Sequence, residues 1–327
     1  MNADRRVNAL RVLHEIGRSI TVLDGDVELL RYTYVPDSPQ LESPKPYVHP
    51  IRTRAGRLVS LFRPHDHVWH KGIAWSLPVV GDENFWGGPT YVHGQFYVQL
   101  ENDGTQAHRR VETLAVEDGG VEFVHRLAWI TQAGERLFTE RRTLRVGLLG
   151  DDAWALTIET SMKNTTDRTI PIGSPTTRGR ENAGYGGLFW RGPRSFTGGR
   201  VVTADGVGAA DEVRGRRHEW MAFEGRHDDV DATSLVVMVD HHRNPQHPPQ
   251  WFARSDEFAC LNPAPFFSEE LEVGPGETIQ FRYGVGIVDG GAEVAADVAE
   301  AVRADLRSER VSGVPAARAT ARIGAPA

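Results

Sequence analysis

A chain of 327 residues with 40% hydrophobic and 25% charged content is long enough to bury a large core. Its formal net charge of −7 argues against the basic face that a nucleic acid or an anionic membrane requires. The single cysteine, Cys260, excludes an intramolecular disulfide or a cysteine metal cluster within one chain, and no apolar run approaches the roughly 18 residues needed to cross a bilayer.

Residues 1–18 mix charge with a short apolar stripe and are expected to be loosely held; no apolar run of signal-peptide length follows, so a cytoplasmic protein is expected. Residues 20–34 read as strand, turn, strand, because Asp24-Gly25 accepts the positive φ that hairpin turns need. The prolines and serines of 36–46 break any ladder and make a loop. Residues 58–62 then lead into Arg63-Pro-His-Asp-His-Val-Trp-His-Lys-Gly-Ile-Ala-Trp75, which concentrates three histidines, an aspartate and two tryptophans. In an extended chain His65 and His67 would point one way and Asp66 the other.

A glycine-rich aromatic loop at 81–89 follows, and strand-like runs at 94–100, 121–130, 136–146 and 154–163 are separated by turn residues. Further strands are expected at 234–240 and 278–288. Val294, Val298, Val302 and Leu306 recur every four residues and predict one helix. The tail 312–327 has no core-forming pattern and is expected to be disordered. Long antiparallel strands with such turns mean sheet-on-sheet packing, an all-β fold. Residues 1–311 are read as a single large antiparallel β-sandwich ending in a short C-terminal helix.

Four groups of residues carry candidate chemistry. His65, His67 and His70 could hold a divalent metal, or act as sugar-binding and acid/base groups, with Asp66 orienting an imidazole and the indole of Trp69 suited to the C–H face of a sugar. Asp240-His-His-Arg-Asn244 leaves a core strand for a proline-rich turn, which either places His241 and Asn244 at a pocket rim or is an Asx-type turn with Asp240 or Asn244 bonding nearby backbone. In the run 176–191 the glycines allow close backbone approach, and Arg178, Tyr185 and Trp190 could bind a polar ring, with structural packing of Phe189 and Trp190 the equal alternative. Glu140 shares a strand face with Phe138 and Arg142, as either a catalytic carboxylate or a paired charge. Cys260, among apolar neighbours, reads as a buried thiol.

Five blocks in one order, Tyr47-Val-His-Pro-Ile-Arg-Thr-Arg-Ala-Gly56, His65-Asp-His-Val-Trp-His-Lys-Gly72, Ala183-Gly-Tyr-Gly-Gly-Leu-Phe-Trp-Arg191, Asp240-His-His-Arg-Asn-Pro245 and Val273-Gly-Pro-Gly-Glu-Thr278, resemble a bacterial family labelled "methane oxygenase PmoA-like". That label names an integral membrane subunit, whereas no run here can span a bilayer. More distantly, His70-Lys-Gly72 is similar to the sugar-binding His-Gly-Gly of galactose mutarotase-like supersandwich proteins. Cys260-Leu-Asn262 and Pro275-Gly-Glu-Thr278 resemble the last strand and closing turn of that group. Asn262 stands where a mutarotase carries its catalytic glutamate, and no acid histidine lies near Thr176 and Thr177. The resemblance therefore implies the fold and a sugar-like ligand, and not the mutarotase proton pair.

The resulting expectation is a carbohydrate-active hydrolase, lyase or epimerase acting on a small sugar, oxidised sugar or glycoside. His67, His70, His241 and Glu140 are its candidate catalytic residues, and Asp66, Trp69, Arg178, Tyr185, Trp190 and Asn244 its substrate contacts. The rival expectations are a non-catalytic sugar-binding or sensing protein and a metal-dependent oxidoreductase built on the histidines. The only cofactor considered is a divalent metal, and the oligomeric state is open, a homo-oligomer included.

Overall fold

The strand-forming runs pair into two antiparallel sheets in the computed structural model, which describes residues 10–117 and 120–307. The first sheet runs in the order Leu10–Glu15, Ser19–Asp24, Val27–Thr33, Tyr47–Ile51, Ile73–Val80, Gly187–Arg191, Cys260–Ala264, Gln250–Arg254, with three short strands attached to Ile73–Val80 directly or through one another. The second runs Gly206–Gly208, Arg200–Thr203, Trp220–Arg226, Thr233–Asp240, Thr278–Asp289, Ala153–Asn164, Arg136–Leu149, Gly120–Ile130, Thr105–Glu117.

Alternation along each strand explains the two layers. In Ala153–Asn164 the side chains of Trp154, Leu156, Ile158 and Met162 enter the core shared with the first sheet, while Ala155 faces outward. From the first sheet Ile73, Trp75, Leu77, Leu188, Trp190, Trp251 and Leu261 meet them. Two inner faces that interdigitate in this way make a β-sandwich. Asp24 pairs with Val27, so the expected hairpin turns on Gly25 and Asp26, with Gly25 at φ 59°.

The helix Ala295–Arg307 lies outside the second sheet, with Val298, Val302 and Leu306 buried; Val294 belongs to the short 3-10 turn before it. Three expectations at the level of elements change. Residues 1–18 are not loosely held throughout, because Leu10–Glu15 is a strand paired along Ser19–Asp24 with Leu10 in the core. The run 94–100 shortens to Phe96–Val98, paired with Thr90–Val92 in a separate ribbon. The strand Thr105–Glu117 was not expected at all. The tail 312–327 and the boundary at 311 lie outside the described residues. Among the described residues, no helix is long and apolar enough to cross a membrane.

Candidate functional site

The histidine run does not continue as a strand. His67 N–H donates to the Pro64 carbonyl (3.0 Å) and His70 N–H to the His67 carbonyl (2.9 Å), so two successive turns replace the expected alternation. The loop is pinned from below by buried charge. Lys71 Nζ lies 2.8 Å from Glu42 Oε2, Arg63 forks onto the same carboxylate, and Lys45 Nζ donates to the carbonyls of Glu42, Ser43 and Trp86.

These turns bring His67 and His70 together and send His65 away. The rings of His67 and His70 stack at 4.7 Å and 11°. His65 is exposed, and its Nδ1 accepts from Arg194 at 2.7 Å. Among the described residues no group of three His, Cys, Asp or Glu is placed to hold a metal ion, so the trio His65, His67 and His70 is not a ligand set.

Hydrogen-bond chemistry fixes the proton on each ring. The Asp66 carboxylate accepts from His67 Nδ1 (2.9 Å), from Arg191 (3.0 Å) and, more weakly, from Arg194 (3.4 Å). Partial burial works to raise the Asp66 pKa. The hydrogen bonds from His67 and Arg191 and the Arg191 charge outweigh it and hold the carboxyl well below the usual carboxylate range. A carboxylate only accepts, so Nδ1 of His67 carries the proton and Nε2 of the neutral ring carries a lone pair. Arg191 also reaches His70 Nδ1, at 3.2 Å, and a guanidinium only donates. His70 therefore accepts at Nδ1 and carries its proton at Nε2. Burial lowers the His67 pKa against the opposing pull of Asp66. Burial, followed by the charges of His67, Arg191 and Lys45, lowers that of His70 well below 6.5.

Aromatic side chains wall this pair on the outer face of the first sheet. Trp69 lies 5.3 Å from His67, and Phe258 lies 5.3 Å from His67 with the Arg191 guanidinium 3.7 Å over its ring. Phe189 and Trp86 stand 4.5 Å and 5.6 Å from His70. The glycine loop can lie flat on the Trp69 indole because Gly88 has no Cβ; one there would come within 2.6 Å of the ring. Tyr185 extends the cluster, with its ring 4.7 Å from Trp86 and its hydroxyl 2.7 Å from that of Tyr97. Cys260 lies in the same cluster, fully buried, and burial pushes its thiol up to about 12.

The other expected site residues lie elsewhere. Trp190 alternates with Phe189 and so faces inward, buried in the core with Nε1 donating to the Val59 carbonyl at 2.8 Å. Glu140 is also within the sandwich, accepting from Arg142, Trp129 and Thr160 at 2.7 to 2.9 Å; it is a paired core charge and touches neither His67 nor His70. Arg178 is held by Glu270 (3.3 Å) and the Gly81 carbonyl (3.1 Å). His241 and Asn244 line a depression on the outer face of the second sheet, across the whole sandwich from His67. Asn244 ties down its turn there by bonds to Asp240 and to both backbone groups of Arg282.

Arg191 and Phe258 are not among the site residues that the sequence pattern points to. For Arg191 a signal existed, since strand alternation in Gly187–Arg191 puts it beside Phe189 and opposite Trp190. Phe258 sits in a short loop with no periodic signal.

The profile of a family of unknown function, DUF6807, matches residues 19–303. No curated protein matches the chain. Among solved structures, the alpha-galactosidase from Lactobacillus brevis is similar at 9% identity and TM-score 0.37, over 88% of this chain and 40% of that one. The GH36 alpha-galactosidase from Geobacillus stearothermophilus in complex with raffinose is similar at 12% identity and TM-score 0.33, over 86% and 40%. A TPR-domain containing protein from Parabacteroides distasonis is similar at 11% identity and TM-score 0.33, over 83% and 47%. The chain spans less than half the length of each of these proteins.

Proposed function

The chain belongs to the family of unknown function DUF6807, and we propose that its histidine face performs proton transfer on a small carbohydrate, with His67 as base and His70 as acid. One observation carries this reading: two stacked imidazoles whose Nδ1 atoms are committed in opposite senses, one donating to Asp66 and the other accepting from Arg191. Their remaining nitrogens are then a lone pair and an N–H, the two partners that acid/base catalysis needs. Trp69 and Phe258 offer apolar faces to the C–H surface of a sugar ring.

With no free carboxylate among the groups bonded to the pair, the arrangement favours isomerisation or elimination over hydrolysis through a carboxylate nucleophile. His67 Nε2 takes the proton from the carbon next to a carbonyl or carboxyl, and His70 Nε2–H donates to the oxygen that gains charge. An oxidised sugar supplies such an acidified carbon. Asn262 supports a departure from mutarotase chemistry: it is fully buried, accepts from Gly186 N–H at 2.8 Å and donates to the Leu188 and Pro263 carbonyls.

The test is a panel of aldoses, uronates and ketoaldonates incubated in deuterated water and followed by NMR. Deuterium entering one sugar carbon with the wild type, and at a rate about 10²- to 10⁴-fold lower with His67→Ala, is the expected result. If a sugar binds but neither turns over nor exchanges a proton, the face is a binding site and the catalytic reading fails.

A further inference from the structure

The depression holding His241 has a volume of about 520 Å³ and an electrostatic character opposite to that of the chain as a whole. Arg141, Arg243, Arg282 and Arg307 line it, and among the described lining residues the only carboxylate is Glu159, while the chain carries a net −7. Glu159 is itself engaged by two guanidiniums, Arg145 and Arg282, the latter at 3.0 Å. We infer that this depression is a second binding site, specific for a small molecule carrying two or more negative charges.

Its donors are positioned in advance. Arg282 is fixed by Glu159 and by the Leu306 carbonyl (3.0 Å) at the end of the helix. Arg141 is held at the rim by Glu112 (2.9 Å) and Thr143 (3.2 Å). His241 accepts the Arg243 backbone N–H at Nδ1 (3.2 Å), so its Nε2 is a donor. Burial first, then the charges of His242, Arg282 and Arg243, lowers the His241 pKa to about 4 and keeps it a neutral donor at pH 7. Gln280 and Ser161, 3.3 Å apart at the wall, add amide and hydroxyl groups. Guanidinium forks suit phosphate and carboxylate oxygens alike. A concave patch of one sign also concentrates its counter-ion.

The site is independent of the histidine face on the other sheet, and calorimetric titration of the full chain in a low-salt, phosphate-free buffer tests it with two probes, inorganic pyrophosphate and citrate. The expected result is saturable one-to-one binding of at least one probe. Arg141→Gln with Arg243→Gln, the first partly exposed and the second exposed, should weaken it about tenfold or more, with at most a small drop in the melting temperature of the unliganded protein. Gln280→Ala, at an exposed position, should weaken it by a smaller factor, and His67→Ala should leave it within about twofold. Tighter pyrophosphate binding assigns a phosphorylated ligand, and tighter citrate binding a polycarboxylate. No saturable heat from either probe at about millimolar concentrations, an affinity unmoved by the double substitution, or one lost in His67→Ala would overturn the proposal.

Discussion

Asp66 decides what His67 can do. It fixes the tautomer through Nδ1 and supplies the two influences that raise the His67 pKa against burial, a hydrogen bond and a charge. Replacing it as Asp66→Asn removes the charge, so the His67 pKa should fall further below 6.5, and the turnover proposed above should drop about 10²-fold or more. An NMR titration of the ring reads the first effect and a rate assay the second; an unmoved pKa would show that Asp66 does not govern the ring. The two tryptophans expected to contact a ligand separate equally sharply. Trp190→Ala should cost about 3–5 kcal/mol through a core cavity, seen as a large loss in denaturant midpoint. Trp69→Ala, at a partly exposed ring under the glycine loop, should lower the midpoint by less than Trp190→Ala does and weaken the sugar binding proposed above. The side on which Trp190 lies was readable from the alternation of Gly187–Arg191. The pairing of His67 with His70 was not, because Pro64 and the distant partners Glu42 and Arg191 impose turns where the local pattern reads as strand.

The C-terminal helix shows what sequence periodicity can and cannot convey. Its apolar stripe at intervals of four was enough to predict both the helix and its buried face. Its seat was not visible, because it consists of missing side chains. On the strand Thr278–Asp289, a Cβ at Gly284 would lie 2.3 Å from Val302, and one at Gly286 would lie 2.7 Å from Val298. Glycine is an unfavourable strand residue in isolation, and here it lets a helix approach a sheet closely. Gly284→Val should therefore destabilise by about 1–3 kcal/mol through overpacking, measured by urea unfolding, with hydrogen exchange rising first in Ala295–Arg307. Equal protection across the helix in the variant would mean that the seat does not set its position. The strand Thr105–Glu117 escaped notice for the opposite reason. It is the last strand of its sheet, and an edge strand with one wet face can carry Arg109, Arg110 and Glu112 without the apolar alternation that marks its neighbours.

Across the whole molecule, histidines are stored neutral in both sheets. Burial, ahead of nearby arginine and histidine charges, lowers His49 and His241 to about 4, and holds His70 and His125 well below 6.5. The unfolded chain takes up these protons near 6.5, whereas the folded chain resists until its lowered pKa is reached. Their contribution to stability is thus fully present above about 6.5 and is lost as pH falls toward about 4. For His241 alone, the lowering from 6.5 to about 4 corresponds to at most about 3 kcal/mol. His247 acts in the other sense. Its hydrogen bond to Asp240 raises its pKa, so its contribution is present below 6.5, is lost as pH rises, and offsets only one of the four. Carboxylates held low, such as Glu42 and Asp66, lose their share only at more acid pH. The urea midpoint should therefore decline between about pH 7 and about pH 5, less a part offset by Asp103, whose carboxyl burial raises to about 6 so that it titrates in the same window with the opposite sign. His241→Gln should flatten part of that slope while leaving the midpoint at neutral pH close to wild type. A flat wild-type profile over this range would mean that the neutral histidines are not what couples the fold to protons.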